Sequence, residues 1–149
     1  MLTITPFLWF ETQAEEAMRF YTSIFPRSKA GPVKRAGDKV FSVEFELEGQ
    51  KVFGMNGRPA QFAFNESVSL FVGCDTQQEI DTLWAKLTGS GGQPSRCGWL
   101  KDQFGLSWQI VPKSLGGLLS GNGDPAKAKR VMDAMLGMSK LDIAALESA

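Results

Sequence analysis

The sequence predicts an α+β fold built from two βαβββ units in one chain, followed by extra helices. Three observations carry this. The stretch TPFLWFETQAEEAMRFYTSIF near the start returns in the middle as SVSLFVGCDTQQEIDTLWAKL. After each copy come further alternating segments separated by turn residues. Beyond residue 114 or so the alternation gives way to helical periodicity.

Each copy begins with a strand pattern. From Thr3 to Phe10, the residues Ile4, Pro6, Leu8 and Phe10 share one face, and Thr3, Thr5, Phe7 and Trp9 share the other. In the second copy Val68, Leu70, Val72 and Cys74 form the apolar face, opposite Ser67, Ser69, Phe71 and Gly73. Both strands run into a helix start. Thr12 with Glu15, and Thr76 with Glu79, fit the capping box, in which a hydroxyl and a carboxylate satisfy backbone N–H groups that the first turn leaves unpaired. Helices are expected over Ala14 to Phe25 and Gln77 to Thr88. Ala17, Phe20, Tyr21 and Ile24 make the first apolar stripe; Ile80, Leu83, Trp84 and Leu87 make the second.

Strands follow each helix. Ala30 to Arg35, Lys39 to Leu47 and Lys51 to Met55 complete the first unit, with a hairpin turn at Glu48-Gly49-Gln50. Arg58 to Phe64 reads as a linker. Gly89 to Gly92 ends the second helix, and strands are expected at Pro94 to Leu100 and Leu106 to Val111, joined by a turn at Lys101 to Gly105. Gly116-Gly117 and Gly121-x-Gly123 then read as a flexible connection. Asp124-Pro125 supplies an N-cap and first helical residue, followed by the stripe Val131, Met132, Met135 and Leu136. Gly137 breaks that helix. Ser139 and Asp142 open another, carrying Leu141, Ala144 and Leu146, and this segment is expected to dock on the main body or on a second subunit.

Composition narrows the function classes. Sixteen basic and sixteen acidic residues among 149 cancel, which argues against a nucleic-acid or anionic-membrane footprint. No apolar run approaches the roughly 18 residues needed to cross a bilayer. No signal-peptide pattern opens the chain, and two cysteines fit a reducing compartment, so a cytoplasmic location is expected. There is no histidine. Cys74 and Cys97 therefore lack the usual base for a nucleophile, and both read as structural. Glu44 and Glu46 share a strand face and could form an acid–base pair, but they read better as solvated edge charges. Asp102 is a turn-forming aspartate, with Lys101 beside it in solvent.

The strings PFLWFETQAEEAMRFYTSIFPRS, FELEGQKVFGMNG, FAFNESVSLFVGCDTQQEIDTLWAKL, CGWLKDQFGLSWQIVP and AMLGMSKLDIAALESA, in this order, resemble one branch of the glyoxalase, or vicinal oxygen chelate, superfamily. It is the PhnB-like group, which also carries the name 3-demethylubiquinone-9 3-methyltransferase. The resemblance spans essentially the whole chain. It implies a single glyoxalase-like (glyoxalase/bleomycin-resistance-like) domain over residues 1–149, with module one at about 1–57, module two at about 66–113 and a helical segment at about 114–149. It also implies a homodimer and a small-molecule cavity lined by Trp9, Met55, Ser69, Trp99 and Gln109.

In metal-bearing relatives, ligands come from the first strand and a late strand of each module. The corresponding residues here are Thr5 or Pro6, Ser67, Met55 and Gln109, with Gln109 standing where relatives have glutamate. This set lacks the imidazoles and carboxylates a catalytic divalent metal takes, so no metal and no cofactor are expected. Nor does a G-x-G-x-x-G loop follow a strand, as a common S-adenosylmethionine enzyme would have. The favoured reading is a metal-free small-molecule binder. The alternative is an enzyme of transferase, lyase or dioxygenase type acting on a quinone-like or aromatic molecule.

Overall fold

A computed structural model describes residues 1–59 and 61–149. The chain divides into two compact units, residues 1–63 and 64–149. Each holds a four-stranded mixed sheet and a helix in βαβββ order, and the second adds the C-terminal helices.

In the first unit β1 (Phe7–Phe10) leads to α1 (Ala14–Ile24), then β2 (Ser28–Ala36), β3 (Lys39–Leu47) and β4 (Gln50–Asn56). The sheet order is β1-β4-β3-β2. β1 lies parallel to β4, while β3 is antiparallel to both β2 and β4. Alternation decides which face is buried. Leu8, Phe10, Val43, Phe45, Leu47 and Val52 are buried with Ala14, Ala17, Met18, Tyr21 and Ile24 of α1. Tyr21 and Phe45 meet ring to ring at 6.1 Å. β1 is shorter than its pattern: it begins at Phe7, and Ile4 is exposed. Met18 takes the core position expected of Phe20, which is half-buried.

The start of α1 departs from the capping-box expectation. Its N-cap is Gln13, with no side-chain bond from Thr12. Instead Asn56, at the end of β4, accepts from the Ala14 N–H at 2.9 Å. Glu15 is drawn away to Arg19 at 2.8 Å and to Arg35 at 3.2 Å. The hydrogen bond from Arg19, above all, lowers the Glu15 pKa.

In the second unit β5 (Ser69–Cys74) leads to α2 (Gln77–Thr88), then β6 (Gln93–Pro94), β7 (Trp99–Lys101) and β8 (Ser107–Pro112). The order β5-β8-β7-β6 repeats that of the first sheet, with β5 parallel to β8. Here the capping box forms fully: Thr76 accepts from the Glu79 N–H, and the Glu79 carboxylate accepts from the Thr76 N–H. The expected strand from Pro94 to Leu100 is broken in two. Cys97 and Gly98 both take positive φ, 57° and 84°. A Cβ on Gly98 would lie 2.9 Å from the Ile110 carbonyl oxygen and 3.1 Å from Leu141, so the chain turns where only glycine fits. Val68 stays exposed, outside the face assigned to it.

The C-terminal segment docks on its own unit. A short α3 (Leu115–Leu119) forms where Gly116-Gly117 read as a flexible connection, followed by α4 (Pro125–Leu136) and α5 (Ile143–Ser148). Val111, Val131, Leu141 and Leu146 form one buried cluster. Gln77 of α2 clips the segment from both sides, donating to the Leu141 carbonyl at 3.0 Å and accepting from the Ile143 N–H at 2.8 Å. Asp124 and Asp142 cap α4 and α5 as expected. Met132 and Leu136, by contrast, remain exposed.

Candidate functional site

Each sheet has one face packed on its helix and one turned away from it. The residues singled out from the sequence lie on the faces turned away, distributed between the units. In the first unit Trp9 and Met55 are register partners on β1 and β4. Phe7 pairs with Phe53 one step back along the strands, their rings edge to face at 6.3 Å. Trp9 meets Phe62 edge to face at 5.6 Å. A Cβ at Gly57 would run into the Trp9 ring, so a side chain there would push the indole aside. Despite these contacts Phe7 and Trp9 stay exposed, at 57% and 42%. Glu44 and Glu46 lie on this face too, half-buried on β3, an interior strand. They are therefore not the edge charges their pattern suggests.

The second unit brings Ser69, Gln109 and Trp99 together. Gln109 pairs with Phe71 on one side and Trp99 on the other. Its Nε2 donates to Ser69 Oγ at 3.0 Å. One step back along β8, Ser107 lies between Ser69 and Lys101 in the same way. Lys101 is not a free solvated charge: its Nζ sits 2.6 Å from Glu66, whose pKa this hydrogen bond lowers. Ser107 is fully buried. Among the described residues, its hydroxyl is the buried side-chain polar atom with no hydrogen-bond partner. A buried group left in that condition costs about 1–3 kcal/mol. Ser107 was not singled out from the sequence; its two-residue spacing from Gln109 was the available signal.

The remaining candidates are structural. Asp102 is buried in the β7–β8 turn. It accepts from the Phe104 and Leu106 N–H groups at 2.8 and 3.1 Å and from Trp108 Nε1 at 2.9 Å. Cys74 is buried on the helix side, and desolvation pushes its thiol pKa up to about 11. Cys97 is half-buried, and its N–H donates to the Met138 carbonyl.

A family model described as 3-demethylubiquinone-9 3-methyltransferase matches residues 2–111. The chain belongs to this family. Among solved structures, the PhnB protein of Bacillus cereus is 35% identical, with a TM-score of 0.70, covering 74% of this chain and 99% of that one. The fosfomycin resistance protein FosX of Listeria monocytogenes, solved with Mn(II) and sulfate, is 13% identical with a TM-score of 0.57, over 78% of this chain and 97% of that one. A glyoxalase/bleomycin resistance protein of Albidiferax ferrireducens is 12% identical with a TM-score of 0.53, over 76% and 99%. These last two share the fold alone. No curated protein matches the chain. The chain is thus PhnB-like in family and shares the fold of glyoxalase/bleomycin resistance proteins.

A metal such as the Mn(II) bound by FosX does not fit the residues here. Thr5 lies before β1, and Ser67 lies before β5 in a turn where Asn65 accepts from its N–H and hydroxyl. Met55 offers a thioether. Gln109 is a neutral amide already bonded to Ser69. Among the described residues no group of three or more histidine, cysteine, aspartate or glutamate side chains could hold a metal ion. No helix of the described residues is long and apolar enough to cross a membrane.

Proposed function

We propose that this PhnB-like protein is a small-molecule binder that works without a metal, as a homodimer of single glyoxalase-like domains. The contacting side chains are Trp9 and Met55 in the first unit and Ser69, Trp99 and Gln109 in the second. The observation that carries the reading is the Gln109–Ser69 hydrogen bond flanked by Phe71 and Trp99. A neutral amide gives little to a cation, but it can donate to and accept from a polar ligand while aromatic rings supply contact area. Exposed Phe7, Trp9 and Phe71 are apolar surface that a ligand or a second copy would cover.

Native mass spectrometry and elemental analysis of untagged protein, purified without chelator, test the reading. The expected result is a dimer with substoichiometric metal and a co-purifying or added aromatic ligand. Stoichiometric zinc, nickel, manganese or iron, lost in Gln109→Ala, would overturn it.

A second reading is favoured by the family's description, which names methyl transfer to 3-demethylubiquinone. Calorimetry with S-adenosylmethionine separates the two. The binder reading expects no heat of binding, because no strand here leads through a glycine-rich loop into a helix that would seat the cofactor.

A further inference from the structure

The open face of the second sheet carries two rows of different chemistry. Across β5, β8 and β7, one row reads Ser69, Ser107, Lys101, and the next reads Phe71, Gln109, Trp99. The two outer strands of such a triplet are about 9–10 Å apart. One ring seated over Gln109 would thus lie about 5 Å from both Phe71 and Trp99, within the range in which aromatic pairs attract. Residues two apart on a strand are separated by about 7 Å. That is the reach of a carboxylate on such a ring plus one hydrogen bond.

The polar row is built for an oxyanion. It offers the Lys101 cation and the Ser69 hydroxyl, which accepts from Gln109 and so keeps its own proton to donate; the Ser107 hydroxyl beneath them is buried without a partner. Lys101 is held by Glu66, whose side chain is 62% exposed. An ion pair so exposed contributes little, so a better-placed carboxylate can replace it. Charge-assisted hydrogen bonds to such a carboxylate are roughly twice as strong as neutral ones.

Resting on the binder reading above, we propose that this face selects a planar aromatic anion. The ring lies over Gln109 between Phe71 and Trp99. The carboxylate takes Lys101 from Glu66 and accepts from the Ser69 hydroxyl.

Calorimetry with 1-naphthoate and its neutral isostere 1-naphthamide tests this. Wild-type protein is expected to bind naphthoate about tenfold more tightly than naphthamide. Lys101→Met should bring naphthoate down to the naphthamide level. Glu66→Gln, a surface change that leaves the fold intact, should tighten naphthoate about two- to fivefold by freeing Lys101. Trp99→Ala should weaken both probes. Equal binding of the two probes, or a Glu66→Gln protein no tighter for naphthoate, overturns the anion proposal and leaves the aromatic binder standing. Failure of both probes to bind overturns both.

Discussion

The two units share an element order and a sheet order, yet they are held together differently. In the first, long strands of nine, nine and seven residues follow the helix, and the β3–β4 hairpin turns at exposed Glu48 and Gly49. In the second, the corresponding strands have two, three and six residues. There a buried aspartate organises the turn, and the C-terminal helices add the cluster around Leu141. The open faces differ as well: the first carries Phe7, Trp9, Phe53 and Met55 beside Glu44 and Glu46, the second carries serines, a lysine and an amide beside Phe71 and Trp99. A repeated local pattern is enough to repeat strand pairing. The side chains facing away from the helix are under no such constraint and are free to take on separate chemistry.

The largest effect expected from breaking this contrast is at Asp102. Asp102→Ala strands three N–H donors, one of them on the buried Trp108 indole, and should cost about 3–5 kcal/mol in urea denaturation. No carboxylate has that role in the β3–β4 turn, so Glu48→Ala should cost less than about 1 kcal/mol despite its 2.7 Å contact with Arg27. Equal losses would erase the distinction between the hairpins.

Next is the C-terminal cluster. Leu141→Ala should destabilise the chain by about 2–4 kcal/mol. Amide hydrogen exchange should quicken in β7, β8 and α4 while the first unit keeps its protection. Uniform loss of protection would show that the two units unfold together.

The helix starts give a smaller, sharper test. Thr76→Ala and Asn56→Ala should each cost about 1 kcal/mol, whereas Thr12→Ala should cost under about 0.5. A Thr12→Ala loss equal to that of Thr76→Ala would restore the symmetrical capping that the sequence suggests.

The smallest effect is in alkaline solution. Burial holds the Cys74 thiol neutral up to about 11, while the unfolded thiol ionises near 9.0. Its contribution is therefore complete below pH 9 and falls away between pH 9 and 11, as the unfolded chain releases a proton that the folded chain keeps. Cys74→Ala should flatten that part of the stability curve.

Much of this was legible because it is local. Alternation picked out Leu8, Phe10 and the Val43–Leu47 face. Thr76 with Glu79 specified a helix start, and Asp124-Pro125 specified another. The two-residue period also put Gln109 and Ser107 on one face. What was misread depends on side-chain partners that the local pattern does not specify, most of them distant in sequence. Thr12 and Glu15 have the spacing of a capping box, but Arg19 and Arg35 draw the carboxylate away, and an asparagine 42 positions downstream reaches the Ala14 N–H instead. Pro94 to Leu100 reads as one strand until Leu141 packs against Gly98.

By itself, then, the sequence determined the two βαβββ units, the face that the paired strands bury and the absence of any histidine. Those follow from periodicity and side-chain type, which need no partner. The tertiary structure alone decided that Ser107 is buried without a partner between Ser69 and Lys101, that Glu66 holds Lys101, and that the last helices close over Val111. Each is a contact between strands or segments, and strand register, invisible to local pattern, sets which side chains meet.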